Sequence, residues 1–230
     1  MCSYVLDGGR IMEIKVMKNI LHANQKLAEE NRALFLAKGI KSVNIMASPG
    51  SGKTSTILKL IEAFGERVDV AVVEGDIASS IDAQKIDKLG KPVIQINTGG
   101  GCHLDANMIK SAVESLDLRD GAILFIENVG NLVCPSSFDL GEGIKMVIAS
   151  VPEGHDKPYK YTSMFEAADI VVLNKMDLMP YIDFDRDSFY KGVKALNEKA
   201  EIIEISCKTG EGIEKLAQWM LTTQVSRSRS

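Results

Sequence analysis

The stretch Val43–Asn44–Ile45–Met46–Ala47–Ser48–Pro49–Gly50–Ser51–Gly52–Lys53–Thr54 constrains the fold more than any other part of the chain. An apolar run breaks into a short glycine-bearing loop, and the helix-compatible segment Ser55–Ile61 follows. This is the strand–loop–helix order of a phosphate-binding P-loop. Polyphosphate needs several N–H donors at close range, so the backbone must curl around it. Gly50 and Gly52 permit the curl and leave room for close approach. Ser51 and Ser55 complete the candidate binding segment, and the helix N-terminus adds partial positive charge. Lys53 is placed to reach the β- and γ-phosphates, and the Thr54 hydroxyl to ligate magnesium. Ala47 stands where such loops usually begin with glycine.

Beyond this loop, apolar and helical segments alternate. Strands are predicted at Val68–Val73, Val93–Asn97, Ala122–Ile126, Ile144–Ser150, Ile170–Asn174 and Glu201–Ser206. Helices are predicted near Ala78–Leu89, Leu104–Leu116, Tyr161–Ala168, Arg186–Lys199 and Ile213–Leu221. Near-continuous Val/Ile/Leu runs are expected where both faces of a strand are covered. The pattern predicts an α/β fold, a P-loop NTPase with a mostly parallel, doubly wound sheet of about seven strands flanked by helices. One domain is expected over residues 1–225. Its N-terminal helix, about 11–38, would pack through Ile20, Leu21, Leu27, Leu34 and Phe35 and stop at Gly39. The Ser/Arg tail, 226–230, is expected to be disordered.

With 230 residues, 45% of them hydrophobic and 25% charged, the chain has the make-up of a globular α/β protein. A net charge of −4 gives no global pull toward nucleic acid. No apolar run approaches the roughly 20 residues needed to span a membrane. The start lacks a secretory pattern, so a cytoplasmic protein is expected, and its four cysteines point to metal or reactive thiols before disulfides.

Asn174-Lys175-Met176-Asp177 ends an apolar strand at the sheet edge where such folds bind ligands. Asp177 can accept from the two adjacent donors of guanine, its ring N–H and exocyclic amine, a pair adenine lacks. Lys175 can lay its stem along the purine face. Asn174 can tie this loop to the P-loop. Ser206, Cys207 and Lys208 end the next strand and can close over the base. With the preceding P-loop, these strings resemble the P-loop GTPases.

Hydrolysis needs carboxylates near the γ-phosphate. Asp76 and Glu127 each follow a predicted strand; both are candidates for magnesium binding or water activation, beside Lys53. Gly130, in Glu127-Asn128-Val129-Gly130, can offer its N–H to the γ-phosphate. The same string lacks a glutamine suited to orient water.

Cys102, His103 and Cys134 are the second informative group. Cys102 lies after a glycine run and just before a predicted helix, whose N-terminus would stabilise a thiolate. Thiolate and imidazole suit zinc, nickel or copper. Spacing alone leaves open whether these cysteines bind metal or pack as small hydrophobes. Three ligands fall short of a closed tetrahedral site; water, a partner protein or a second copy could supply the fourth. Cys2 and Cys207 are not expected to be metal ligands, and His22 and His155 are expected at the surface.

The strings Thr98–Ala106 and Glu127–Pro135 resemble the hydrogenase nickel-incorporation GTPases of the HypB family, and the resemblance runs from about residue 20 to residue 220. It implies a GTPase metallochaperone for nickel–iron hydrogenase, with GTP, Mg2+ and Ni2+ or Zn2+ as cofactors and GTP-dependent dimerisation. A HypA-like nickel accessory protein and the hydrogenase large subunit precursor are the implied partners, without nucleic acid or membrane. Cys102, His103 and Cys134 match the family's metal positions. Many members also carry an N-terminal Cys-x-x-Cys-Gly-Cys site and some a His-rich stretch. This sequence has Cys2 alone near its start and three His in total, so neither feature is expected here. The alternatives are a urease-type nickel-delivery GTPase, a small-molecule kinase, and a nucleotide-holding metal store or structural zinc protein without significant turnover.

Overall fold

The computed structural model describes residues 13–76 and 81–224. The expectations for Cys2, the start of the chain and the Ser/Arg tail lie outside them. In chain order the elements are α1 (Glu13–Ala37), β1 (Lys41–Ala47), α2 (Lys53–Phe64), β2 (Val70–Asp76), α3 (Ile81–Asp87) and β3 (Val93–Asn97). Then come α4 (Ala106–Ser115), β4 (Ile123–Glu127), β5 (Ile144–Ser150), α5 (Lys157–Lys160) and α6 (Thr162–Glu166). The chain closes with β6 (Ile170–Asn174), α7 (Arg186–Leu196), β7 (Glu201–Glu204) and α8 (Ile213–Thr222).

The apolar runs become seven strands in the order β3-β2-β4-β1-β5-β6-β7, each neighbouring pair parallel. This is the predicted fold class. Inner strands β4, β5 and β6 are buried at every residue, whereas the edge strands β3 and β7 are not. Alternate strand residues feed two cores. On one face Val43, Ile45, Val72, Phe125 and Met146 meet α2 and α8 through Ile57, Leu60, Phe64 and Leu216. On the other, Val73, Leu124 and Ile126 meet Phe35 of α1 and Ile109 of α4, while Val147, Val171 and Leu173 meet Phe165 and Phe189 of α6 and α7. The chain runs outward from β1 through β2 to β3, then returns, so β1 lies at the reversal of strand order. Ligands bind outside the carboxyl ends of strands at such a point.

Several boundaries move. β2 was expected over Val68–Val73 but continues to Asp76, so Glu74 and Gly75 are strand residues; Glu74 pairs in register with Gln95 and Glu127. α4 begins at Ala106, where the Asp105 carboxylate caps it by accepting from the Met108 N–H at 2.8 Å. The helix expected over Tyr161–Ala168 is the shorter α6, Thr162–Glu166, and a separate short helix, α5, precedes it, the two broken at Tyr161. α7 ends at Leu196, before the expected Lys199, because the Asn197 amide turns to the carbonyls of Glu166 and Ala168. The last strand stops at Glu204, two residues short of Ser206.

The packing face of α1 is a larger correction. Ile20, Leu21 and Leu34 are 48%, 37% and 37% exposed, and of the expected stripe Phe35 alone is fully buried. The buried line is instead Asn24, Ala28, Asn31 and Phe35. α1 lies so close to the loop at Gly141 that a Cβ there would sit 2.4 Å from the Ala28 carbonyl oxygen. Contact at that range favours small or hydrogen-bonding side chains. The Asn24 amide accepts from the Ala106 N–H at 2.9 Å and donates to the Asp139 carbonyl at 2.8 Å. Asn31 donates to the carbonyls of Ala106 and Leu140 at 2.9 and 3.0 Å. Arg32 holds Asp139 in a two-pronged ion pair. Burial pushes the Asp139 carboxyl up, but Arg32 and the Gly141 N–H outweigh it and hold it below the usual range. Asn31→Ala is expected to destabilise the fold by about 1–3 kcal/mol for each buried carbonyl left without its donor. A lower urea midpoint at unchanged slope is the readout; an unmoved midpoint would mean that these bonds add nothing net.

Candidate nucleotide site and cysteine–histidine cluster

The loop between β1 and α2 sits at the centre of the sheet's carboxyl edge. Gly50 and Gly52 have φ of 75° and 103°, left-handed values that favour glycine. At Gly52 there is also no space: a Cβ would lie 2.3 Å from the Asn174 amide nitrogen. No side chain caps α2, so its first N–H groups face the loop's concavity. Thr54, 9% exposed, donates its hydroxyl to Glu127 Oε1 at 2.9 Å. A cavity of about 280 Å3 here is lined by Lys53, Thr54, Ser55, Lys85 and Glu127 among others. Asp76 ends β2 on the same edge. Gly130 backs against the loop, where a Cβ would come within 3.0 Å of Pro49 Cγ.

The next cavity along the edge, about 600 Å3, opens between α2 and the loops after β6 and β7. Asn174 donates to the Ser51 carbonyl at 2.9 Å and accepts from the Lys175 N–H at 2.7 Å. Lys175 has φ of 63°, its ammonium donates to the Gly50 carbonyl at 2.7 Å, and it lines the cavity. Asp177 lines the cavity and accepts from the Ser206 hydroxyl through Oδ1 at 2.6 Å. Fully buried Ser206 in turn accepts from the Thr209 N–H, so the carboxylate is pinned by a loop that is itself pinned. Cys207 and Lys208 complete this wall. Burial pushes the Cys207 thiol up.

Two groups of residues at this edge escape the sequence motifs. Leu58, Lys59 and Glu62 share one face of α2 with Ser55 and line the larger cavity; the i, i+3, i+4 and i+7 spacing from Ser55 would have marked them. Glu74, 2% exposed, lies directly opposite Glu127 on the neighbouring strand. The strand expected over Val68–Val73 stops one residue before it.

Cys102, His103 and Cys134 come together. Their donor atoms lie within 4.8 Å of one another. Cys102 Sγ is 2.9 Å from Cys134 Sγ and 3.5 Å from His103 Nδ1. The His103 ring stacks on Phe138 with centroids 3.8 Å apart. Burial lowers its pKa, favouring the neutral imidazole that binds metal. One expectation fails. Cys102 lies four residues before α4, and Asp105 occupies the cap, so the helix N-terminus does not lower its pKa. Hydrogen bonding to Cys134 raises it, with burial adding to the shift. His155 is half-buried rather than at the surface, accepting from the Asp185 N–H at 3.2 Å and meeting Phe184 edge-on. His22 is exposed. No helix among the described residues is long and apolar enough to cross a membrane.

Comparison with known proteins bears on the whole of this edge. The profile described as CobW/HypB/UreG, nucleotide-binding domain, matches residues 41–204. The hydrogenase maturation factor HypB of Azotobacter vinelandii is 46% identical over 217 residues, 94% of this chain and 72% of that protein. Among solved structures, HypB from Archaeoglobus fulgidus superposes with a TM-score of 0.82 at 39% identity, covering 87% of this chain and 98% of that one. HypB from Helicobacter pylori in complex with nickel gives the same TM-score at 38% identity, covering 86% and 94%.

Proposed function

The chain belongs to the HypB hydrogenase maturation factors of the CobW/HypB/UreG nucleotide-binding family, a family of P-loop GTPases, and we propose that it couples GTP hydrolysis to nickel delivery through one segment, Glu127–Cys134. The observation that carries the coupling is that this segment starts at the partner of the P-loop Thr54 and ends at a thiol 2.9 Å from Cys102. The high identity to hydrogenase maturation factors favours this branch over urease-type delivery.

In this reading the P-loop N–H groups, with Gly50, Ser51, Gly52 and Ser55, bind the phosphates, and Lys53 meets the β- and γ-phosphates. Thr54, Glu127 and Asp76 hold magnesium. The closely spaced hydroxyl and carboxylate of Thr54 and Glu127 are the hard oxygen donors that ion prefers. Bound magnesium neutralises charge on the phosphate oxygens. Asp76 and Glu127 orient the attacking water, and Gly130 offers its N–H to the γ-phosphate. Asp177 reads guanine, Lys175 covers the base, Asn174 joins that loop to the P-loop, and Ser206, Cys207 and Lys208 close the pocket.

Cys102, His103 and Cys134 take nickel as cargo, with zinc as a competing ion of the same ligand preference. Three donors leave a fourth position, which a symmetric partner would fill in a GTP-state homodimer. A HypA-like accessory protein and the hydrogenase large subunit precursor are the partners, in the cytoplasm, and residues 1–225 act as one domain.

Asp177→Asn tests the base reading. A hydrogen bond to a charged group contributes about 1.5–3 kcal/mol, so GTP affinity should fall on the order of 10–100-fold. Xanthosine triphosphate carries a carbonyl where guanine has its amine and should bind the variant better than the parent. Equal GTP affinity in parent and variant would remove Asp177 from base recognition.

A further inference from the structure

Leu104 directly follows His103 and is fully buried. Its backbone N–H donates to the side-chain oxygen of Asn128 at 3.1 Å. Asn128, equally buried, directly follows Glu127. Its amide is held at both ends. Oδ1 also accepts from the Val129 N–H at 2.9 Å, while Nδ2 donates to Asn44 Oδ1 on β1 at 3.1 Å. The Asn128 backbone N–H donates to the Ile45 carbonyl at 3.0 Å. The Leu104 side chain presses on Gly75 of β2, where a Cβ would lie 2.8 Å from its Cδ1 and Cγ. Leu104 therefore touches β2 beside Asp76 and is bonded to the residue next to Glu127. A second strut runs in parallel, from the Asn131 amide to the Cys102 carbonyl at 3.2 Å.

We propose that Asn128 is the positioning residue that transmits the nucleotide state to the metal cluster, through its hydrogen bond to the Leu104 N–H, with Asn131 as a weaker parallel strut. A shift of Glu127 on loss of the γ-phosphate is passed to Asn128 because the two are adjacent in the chain, and the bonds to Asn44 and Ile45 of β1 set the position from which it moves. Leu104 follows, and it is the neighbour of His103. Asparagine suits this place because one side chain must accept from two N–H groups and donate to Asn44; aspartate lacks the donor, and an apolar residue would orphan all three partners. The inference rests on the nickel-carrying GTPase reading above.

The test uses the full chain and zinc as probe, titrated against a chromophoric chelator in the presence of magnesium with either a non-hydrolysable GTP analogue or GDP. The readout is the ratio of zinc affinities in the two nucleotide states, which for coupled sites typically lies at about 5–150. Asn128→Ala should bring the ratio to within about twofold of one, leaving GTP-analogue affinity and zinc stoichiometry near parent values, whereas a merely structural role would leave the ratio intact. Asn131→Ala should lower the ratio partially, and it decides the matter if Asn128→Ala does not fold. A parental ratio in Asn128→Ala, or in Asn131→Ala where the first variant is unfolded, overturns the link alone. A parent that binds no zinc, or binds it equally in both states, overturns the carrier reading and the link with it.

Discussion

Cys102→Ala and Cys134→Ala are each expected to lose nickel and zinc binding by more than the 10–100-fold that changes around a metal site typically cost, because in the proposed reading each would remove a direct ligand. Among the described residues, the two thiols and the imidazole are the three donors within reach of a common ion, with the two sulfurs 2.9 Å apart, and neither thiol has a substitute nearby there. GTP binding should stay within a few-fold of the parent, since no cluster atom lines either nucleotide cavity. If a second copy completes the coordination, each variant should also lose the metal-dependent part of GTP-state dimerisation. Linkage is reciprocal: whatever free energy GTP adds to metal binding, metal must add to the GTP state. Metal content by elemental analysis and dimer mass by sedimentation, with GTP analogue or GDP, would measure both. Parental metal content in both variants would leave the cluster as packing and remove the chemical basis for delivery.

Lys53→Ala should weaken GTP binding on the order of 10²–10⁴-fold, from about two charged hydrogen bonds to the phosphates at 1.5–3 kcal/mol each. Lys53 is the first residue of α2, beside the smaller cavity and next to Thr54. Its loss removes the P-loop's own ammonium and leaves the backbone N–H groups, with Lys85 in the same cavity lining, to meet the polyphosphate. Asp76→Asn and Glu127→Gln should behave differently, retaining binding better than turnover, if their carboxylates serve magnesium and water in hydrolysis as proposed. Calorimetric GTP affinity with single-turnover phosphate release separates the two classes. Tight GTP binding by Lys53→Ala would overturn the phosphate assignment; parental turnover by both acid variants would overturn theirs.

Local chemistry made much of this legible in the linear chain. A P-loop announces itself because phosphate binding needs a contiguous run of backbone N–H groups and glycine at positions such as 50 and 52, where φ is positive. The strands were visible because inner parallel strands, covered on both faces, must be apolar throughout. Asp177 and its neighbours were readable because the motif is a strand end and its residues stand side by side. What the sequence left open concerns distances between segments. Whether Cys102 and Cys134 bind together or pack apart turns on two loops 32 residues apart, which follow β3 and β4 and are brought together by the pairing of both strands with β2. Glu74 faces Glu127 because of strand register, which the chain does not print. The α1 stripe was misread for a related reason. Apolar periodicity predicts the buried face when burial is driven by hydrophobic area, yet here close approach to Gly141 and Ala106 selected asparagines instead. Asn128 is silent in the sequence, a polar residue among many. Tertiary structure alone decides its place, because its oxygen meets the Leu104 N–H only once β4 and the glycine loop are docked on one sheet edge. Composition, spacing and local conformation are carried by the chain itself; partnership between distant groups exists only after packing has set which groups lose water together.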